Sequence, residues 1–181
     1  LGWWRSPFMA SFSAGNFDFI MLSAHIRWGS GTTARITPLK LLADWVHKRS
    51  REKHVIDKDW IVVGDFNIPS TDSPLFKAVA GKGLTLPRAL ANIAHKAAAS
   101  NLGRNKRYDQ ILHQSTESFS LTGKAGVLDF YAGDWRALFP VNEFPNLTKA
   151  KFTYEISDHL PLWVELNLRV DEETLDQILK D

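Results

Sequence analysis

Six side chains in this sequence pair useful chemistry with a common placement: His25, Asp65, Asn67, Asp109, Asp158 and His159. Each falls at the end of a segment that reads as a β-strand, the edge where α/β proteins usually keep their chemistry. Two segments dominate, Trp60-Ile61-Val62-Val63-Gly64-Asp65-Phe66-Asn67 and Ile156-Ser157-Asp158-His159-Leu160-Pro161. They predict that the two ends meet in space over a divalent metal and a phosphate.

The residue types suit that task. Oxygen donors in a chain without cysteine point to a hard cation such as Mg²⁺, Mn²⁺ or Ca²⁺. Magnesium takes one or two protein carboxylates and fills its other positions with water and substrate phosphate, so a phosphoester is the natural substrate. One carboxylate can orient or deprotonate a water, an amide can hold that water, and a histidine can donate to the phosphoryl oxygen where charge grows. An aspartate beside that histidine raises its basicity and fixes its tautomer. Singly, each residue has a structural explanation: Asp65 can cap the turn after its strand, Asn67 and Pro69 can be turn residues, Asp158 can cap a loop, and His25 can simply end a strand. Spacing by itself leaves both readings open.

The elements that must position these groups follow from pattern. Ser13-Ala14-Gly15-Asn16 reads as a hairpin turn between a strand at Phe8-Met9-Ala10 and a second running from Phe17 to Ile26. His25 lies at the far end of the second, before Arg27-Trp28-Gly29-Ser30-Gly31. Thr37-Pro38 predicts a helix start, with Leu39, Leu42, Ala43 and Val46 on one face and Lys48-Arg49-Arg51-Lys53 at the negative end of the dipole. Trp60 to Val63 is a short buried strand, and Asp65 and Asn67 leave it on one side if the backbone stays extended. Asp72-Ser73-Pro74 opens a short helix through Val79. Residues 84–105 give a weak signal, with an alanine-rich tract from Ala89 to Ala99. Lys96, Arg104, Lys106 and Arg107 mark the most basic surface loop, leading into a strand at Tyr108 to Leu112. Phe119 to Leu121 and Val127 to Phe130 bracket Thr122 to Gly126 as a hairpin. Trp135 to Phe139 reads as one helical turn, Leu160 to Leu168 alternates as a strand, and residues 171–181 form an acidic helical tail.

Composition bounds the class. With 181 residues, 44% of them apolar, the chain is sized for one domain with a substantial core. Seven Trp and 11 Phe serve as core or groove wall. Basic residues number 22 against 20 acidic, a formal charge of +2 that creates no global field for a polyanion. The absence of cysteine excludes disulfide scaffolding, thiolate zinc and cysteine nucleophiles. No apolar run reaches membrane-spanning length and the N-terminus lacks signal-peptide order, so the chain reads as soluble, without stable membrane insertion and with no compartment indicated. It opens on Leu1-Gly2-Trp3-Trp4, already apolar and without Met, which suggests a fragment.

The chain resembles the endonuclease/exonuclease/phosphatase family, the fold of deoxyribonuclease I. The resemblance rests on Arg-Ser-Pro-Phe at Arg5 to Phe8, Ser-Ala-His-Ile at Ser23 to Ile26, Val-Val-Gly-Asp-Phe-Asn at Val62 to Asn67, Tyr-Asp-Gln-Ile-Leu at Tyr108 to Leu112, and Ser-Asp-His-Leu-Pro at Ser157 to Pro161. It implies an α/β (α+β) sandwich of two mixed β-sheets flanked by helices, and a metal-dependent phosphodiesterase or phosphomonoesterase. It also implies roles. Asp65 and Asn67 would position and activate the attacking water near the metal, and Asp158 would ligate the metal. His159 would contact phosphate with Asp109 as its partner, His25 would be the second active-site histidine of the nuclease branch, and Arg5 would contact phosphate.

The departures are equally informative. Family members carry an upstream strand ending in a metal-binding Asn and another ending in a Gln-Glu pair, and neither motif stands in this sequence. The carboxylate expected beside His25 is missing too. Residues 1–181 therefore read as a single partial domain lacking its N-terminal portion, inactive or weakly active alone, with the missing portion as an intramolecular partner and the assembly state open. The leading function is a nuclease acting on nucleic acid with Mg²⁺, Mn²⁺ or Ca²⁺. The alternatives are a phosphoinositide or sphingomyelin-type phosphatase or phosphodiesterase of the same fold, and a non-catalytic binding module.

Overall fold

The computed structural model describes residues 5–15, 17–29, 31–114 and 121–167. Its first sheet is built from β1 (Phe8–Ala14), β2 (Phe17–Ser23), β3 (Trp60–Asp65) and β4 (Asp109–Gln114), in that order across the sheet. β2 and β3 run parallel, while β1 and β4 flank them antiparallel. β1 and β2 form the predicted hairpin, with Phe12 opposite Phe19.

Strand alternation divides the apolar side chains between two layers. Ile20, Leu22, Trp60, Val62 and Leu112 turn to one face and pack with Leu39, Leu42, Ala43 and Val46 of α1 (Thr32–Arg49) and Leu75 and Val79 of α2 (Pro74–Val79). Phe17, Phe19, Ile61 and Ile111 turn to the other face. There they meet Ala125, Leu162, Val164 and Leu166 of a second sheet, the antiparallel pair β5 (Leu121–Val127) and β6 (Leu162–Leu166). Each fully buried aliphatic or aromatic side chain in these layers contributes about 1.5–3 kcal/mol. The architecture is the α+β two-sheet sandwich, with α1 and α2 as its helical cover. Among the described residues the second sheet has two antiparallel strands.

Three local readings of the sequence change. The long helix begins at Thr32, five residues before the expected Thr37, and Pro38 lies inside it. An interior proline costs about 3 kcal/mol, so the first turns must be held from outside. Arg35 does this by donating to the Asn67 carbonyl at 2.8 Å and stacking on Trp28 at 4.9 Å, while Ile36 packs on the core. Residues 122–126 are no hairpin: they lie within β5, and the glycine signal is spent on an irregularity, with Gly123 at φ 86° and a register shift between Leu121 and Ala125. Phe119 and the tail at 171–181 lie outside the described residues.

The basic loop is the third change. Arg107 is 4% exposed and donates to the Leu90 carbonyl at 3.0 Å. Arg104 donates to the Ala99 and Ala97 carbonyls and sits 3.6 Å from Asp129. Two of the expected surface cations thus hold the loop itself. The segment they stabilise, unreadable in sequence, contains α3 (Arg88–Asn92) and the fully buried Leu84, Leu90, Ala98, Ala99 and Ser100. A 3-10 turn at Trp135–Ala137 and α4 (Lys149–Glu155) complete the order, with Phe152 of α4 packed among Phe130, Tyr131, Trp135 and Phe139. No helix among the described residues is long and apolar enough to cross a membrane.

Candidate active site

Register places the first two carboxylates. Asp65, the last residue of β3, is the ladder partner of Asp109, the first residue of β4. Close approach of β2 to β3 just before this point depends on Gly64: it holds φ 136°, and a Cβ there would lie 2.0 Å from the Ala24 carbonyl oxygen. Hydrogen bonds from Ala24 N to Val63 O and from Ile26 N to Asp65 O, both 2.9 Å, carry the pairing past the end of β2 and bring His25 to the site.

Beyond Asp65 the chain turns instead of staying extended. Asn67 takes φ 54°, its N–H donates to Asp65 Oδ1 at 2.9 Å, and its side-chain Nδ2 donates to the Ile26 carbonyl at 2.7 Å. The Asx turn therefore makes Asp65 a local cap as well as a site carboxylate. Asn67 is 5% exposed and braced against the end of β2, so the same-side placement expected of an extended strand does not hold. Asn tolerates this left-handed conformation better than most residues.

His159 completes the cluster from the other sheet's approach. Its Nδ1 lies 2.7 Å from Asp109 Oδ2, its backbone N–H donates to Ser157 Oγ at 3.0 Å, and its ring stacks on Tyr108 at 5.8 Å. The Asp109 hydrogen bond is the main reason that the imidazole is pushed up to about 9, with the charges of Asp109, Asp65 and Asp158 adding and burial opposing. At neutral pH the ring is an imidazolium, donating from Nδ1 and presenting Nε2–H. Burial raises the Asp65 carboxyl above its ordinary value, the Asn67 N–H opposes this, and the neighbouring Asp109 adds to it.

The remaining predicted residues are placed as follows. His25 is exposed, with Nε2 3.6 Å from Asp65 Oδ2 and Nδ1 2.7 Å from Arg5 Nη1. A guanidinium only donates, so Nδ1 is the acceptor and the His25 proton sits on Nε2, toward Asp65. Arg5 thus meets His25, at an exposed position. Asp158 is exposed and acts on His159 through charge, but its carboxylate is outside the Asp65, Asp109 and His159 group, whose donor atoms lie within 4.8 Å of one another.

The donors of that group are oxygen and nitrogen, as a hard cation requires, and two carboxylates are the complement magnesium commonly takes. His159 Nδ1 is engaged by Asp109, which leaves Asp65 and Asp109 to hold the ion. The residues fit. A cleft of about 650 Å³ opens beside Asp109 and His159, walled by Val63, Phe130, Ile156 and Trp163. Sequence reasoning missed Tyr108 as a stacking wall, Ser157 as a cap and Ser100 beneath the pair. Tyr108 was adjacent to a recognised aspartate, whereas Ser100 stood in a Ser-Asn-Leu-Gly stretch without periodicity.

No family model and no curated protein matches the chain. Among solved structures it is similar to a mannosyl-6-phosphatase from Bacteroides thetaiotaomicron, at 19% identity and a TM-score of 0.42, over 84% of this chain and 51% of that one. It is also similar to an endonuclease/exonuclease/phosphatase family protein from the same species, at 20% identity and a TM-score of 0.43, over 84% of this chain and 50% of that one. The chain spans about half the length of each of these structures.

Proposed function

We propose that this site belongs to a divalent-metal-assisted phosphoester hydrolase acting on nucleic-acid phosphodiester bonds, with this chain as part of the catalytic domain. The observation that carries the reading is the convergence of Asp65, Asp109 and His159, from three separate segments, within 4.8 Å. Asp65 and Asp109 would hold a magnesium, manganese or calcium ion, which would supply Lewis-acid polarisation of the phosphoryl group.

The chain's own residues account for the proton movements at the attacking water and the phosphoryl oxygen. Asp65, its carboxyl raised by burial, accepts a proton from the attacking water as the water oxygen bonds to phosphorus. The His159 imidazolium donates from Nε2 to the phosphoryl oxygen on which charge grows, while Asp109 fixes the ring through Nδ1. His25 directs its Nε2–H toward Asp65 and helps aim that carboxylate; as the ester bond breaks the leaving oxygen takes a proton from solvent water, and Asp65 releases to solvent the proton it accepted. Asn67 braces the turn that aims Asp65, and Arg5 holds the His25 tautomer.

The choice of nucleic acid is supported by the resemblance of the Ser23 to Ile26 and Tyr108 to Leu112 segments to the nuclease branch. Lys96 and Lys106 remain as loop cations for backbone phosphates. A second reading, a phosphoester with an apolar body such as a lipid, is favoured by the exposed Leu138, Val141 and Phe144 between β5 and α4. Supercoiled plasmid, sphingomyelin vesicles and a phosphoinositide, each incubated with the full-length protein in Mg²⁺ or Mn²⁺, separate the two, and the partial domain alone is expected to cleave little or nothing. Plasmid nicking that falls steeply in Asp65→Ala and His159→Ala supports the nuclease; turnover confined to the lipids replaces it. No turnover together with no heat on magnesium titration, in the protein carrying the rest of the catalytic domain, makes it a binding module.

A further inference from the structure

The two members of the Asp109–His159 pair come from different segments: β4 belongs to the four-stranded sheet, and His159 lies three residues before β6 of the two-stranded one. No strand ladder joins those sheets among the described residues. A hydrogen bond of 2.7 Å across such a gap needs a third element to set the distance.

Ser100 stands there. Its side chain is fully buried, its Oγ accepts from the Asp109 N–H at 3.0 Å, and its carbonyl accepts from the Leu160 N–H at 2.6 Å. One residue therefore bonds to Asp109 itself and to the residue after His159. Ser100 is in turn fixed: its N–H donates to the Lys106 carbonyl at 2.9 Å. The next residue, Asn101, forms an antiparallel bridge with His159, and its Oδ1 accepts from the Asn105 and Lys106 N–H groups at 3.0 and 2.8 Å. The turn from 101 to 106 is closed on itself and presents Ser100 as a rigid staple.

We infer that Ser100 is a positioning residue for the Asp109–His159 pair, its hydroxyl fixing one strand and its carbonyl the other. The hydroxyl is the part chemistry can remove. Without it the Asp109 N–H is left buried and unpaired, the start of β4 shifts, and the carboxylate loses its aim at Nδ1. Groups that orient a site residue from behind typically cost 10–100-fold in activity when removed. The catalytic consequence rests on the hydrolase reading; the geometric one does not.

The test is proton NMR of the protein at a pH where His159 is charged, following the downfield His159 Nδ1–H resonance in wild type, Ser100→Ala and Ser100→Thr. The resonance is expected to move upfield or broaden away in Ser100→Ala and to persist in Ser100→Thr, which keeps the oxygen. In parallel, in the full-length protein, kcat on bis(p-nitrophenyl) phosphate with Mg²⁺ should fall about 10–100-fold in Ser100→Ala at unchanged KM and recover in Ser100→Thr. An unmoved resonance in folded Ser100→Ala overturns the inference. If that variant does not fold, amide exchange in wild type decides: protection of the Asp109 and Leu160 N–H groups equal to that of β3 supports the staple, and exchange at open-loop rates overturns it. A resonance that moves while the full-length wild type turns over no phosphoester keeps the staple and removes the hydrolase reading.

Discussion

His159 Nδ1 lies 2.7 Å from Asp109 Oδ2, joining residues 50 positions apart in the chain. This contact makes the histidine a cation at neutral pH and gives it a fixed direction.

The first prediction concerns that charge. His159 is raised from 6.5 to about 9, so the folded state binds the proton more tightly than the unfolded one. The associated stability is fully present below pH 6.5 and lost as pH rises through about 9. Denaturation of wild type and Asp109→Asn across that window should show the wild-type advantage shrinking toward the alkaline end. An imidazole NMR titration should place the midpoint lower in Asp109→Asn, and equal midpoints would remove the pair from the account.

Asp65 has a structural hydrogen bond and a proposed role as base that one substitution separates. Asp65→Asn keeps an Oδ1 to accept from the Asn67 N–H but removes the base. Its melting temperature should stay near wild type while phosphoester turnover drops by about 10²–10⁴-fold. Asp65→Ala should lose the turn as well, by about 1 kcal/mol in chemical denaturation.

Gly64 is predicted to be nearly irreplaceable. Gly64→Ala places a Cβ 2.0 Å from the Ala24 carbonyl oxygen at a φ of 136°. Strand separation or backbone strain should cost about 3 kcal/mol or more in urea unfolding. A cost below about 1 kcal/mol would mean that β2 and β3 are not so closely joined at the site.

A cation held by Asp65 and Asp109 must stabilise the folded protein. At a magnesium concentration about 100 times Kd, the gain should be about 2.7 kcal/mol, read as a rise in melting temperature that EDTA reverses. The rise should vanish in Asp65→Asn and in Asp109→Asn. A rise that survives both substitutions would move the ion elsewhere, with Asp158 the first residue to examine.

Much of the strand framework was legible in the sequence because it depends on neighbours. The apolar runs at Phe19 to Leu22 and at Trp60 to Val63 and the Ser73-Pro74 helix start are local patterns with local causes. The candidate residues Asp65, Asp109 and His159 were also named by type and strand-end position, and the pairing of Asp65 with Asp109 follows from register. What sequence could not settle was each place where a distant contact outweighs a local preference. Arg35 and Ile36 extend α1 past a proline that locally reads as its start. Gly123 bends a continuous strand where Thr-Gly-Lys-Ala-Gly reads as a turn. Arg104 and Arg107 spend their charge on carbonyls inside the loop they were expected to decorate. Asn67 leaves the extended path to bond the end of β2. Ser100, a plain loop serine in sequence, sits between two sheets because only the folded chain brings Asp109 and Leu160 to either side of it. The sequence determined which groups stand at strand ends; the tertiary structure decided which of them touch, because hydrogen bonds across 50 residues leave no period to read.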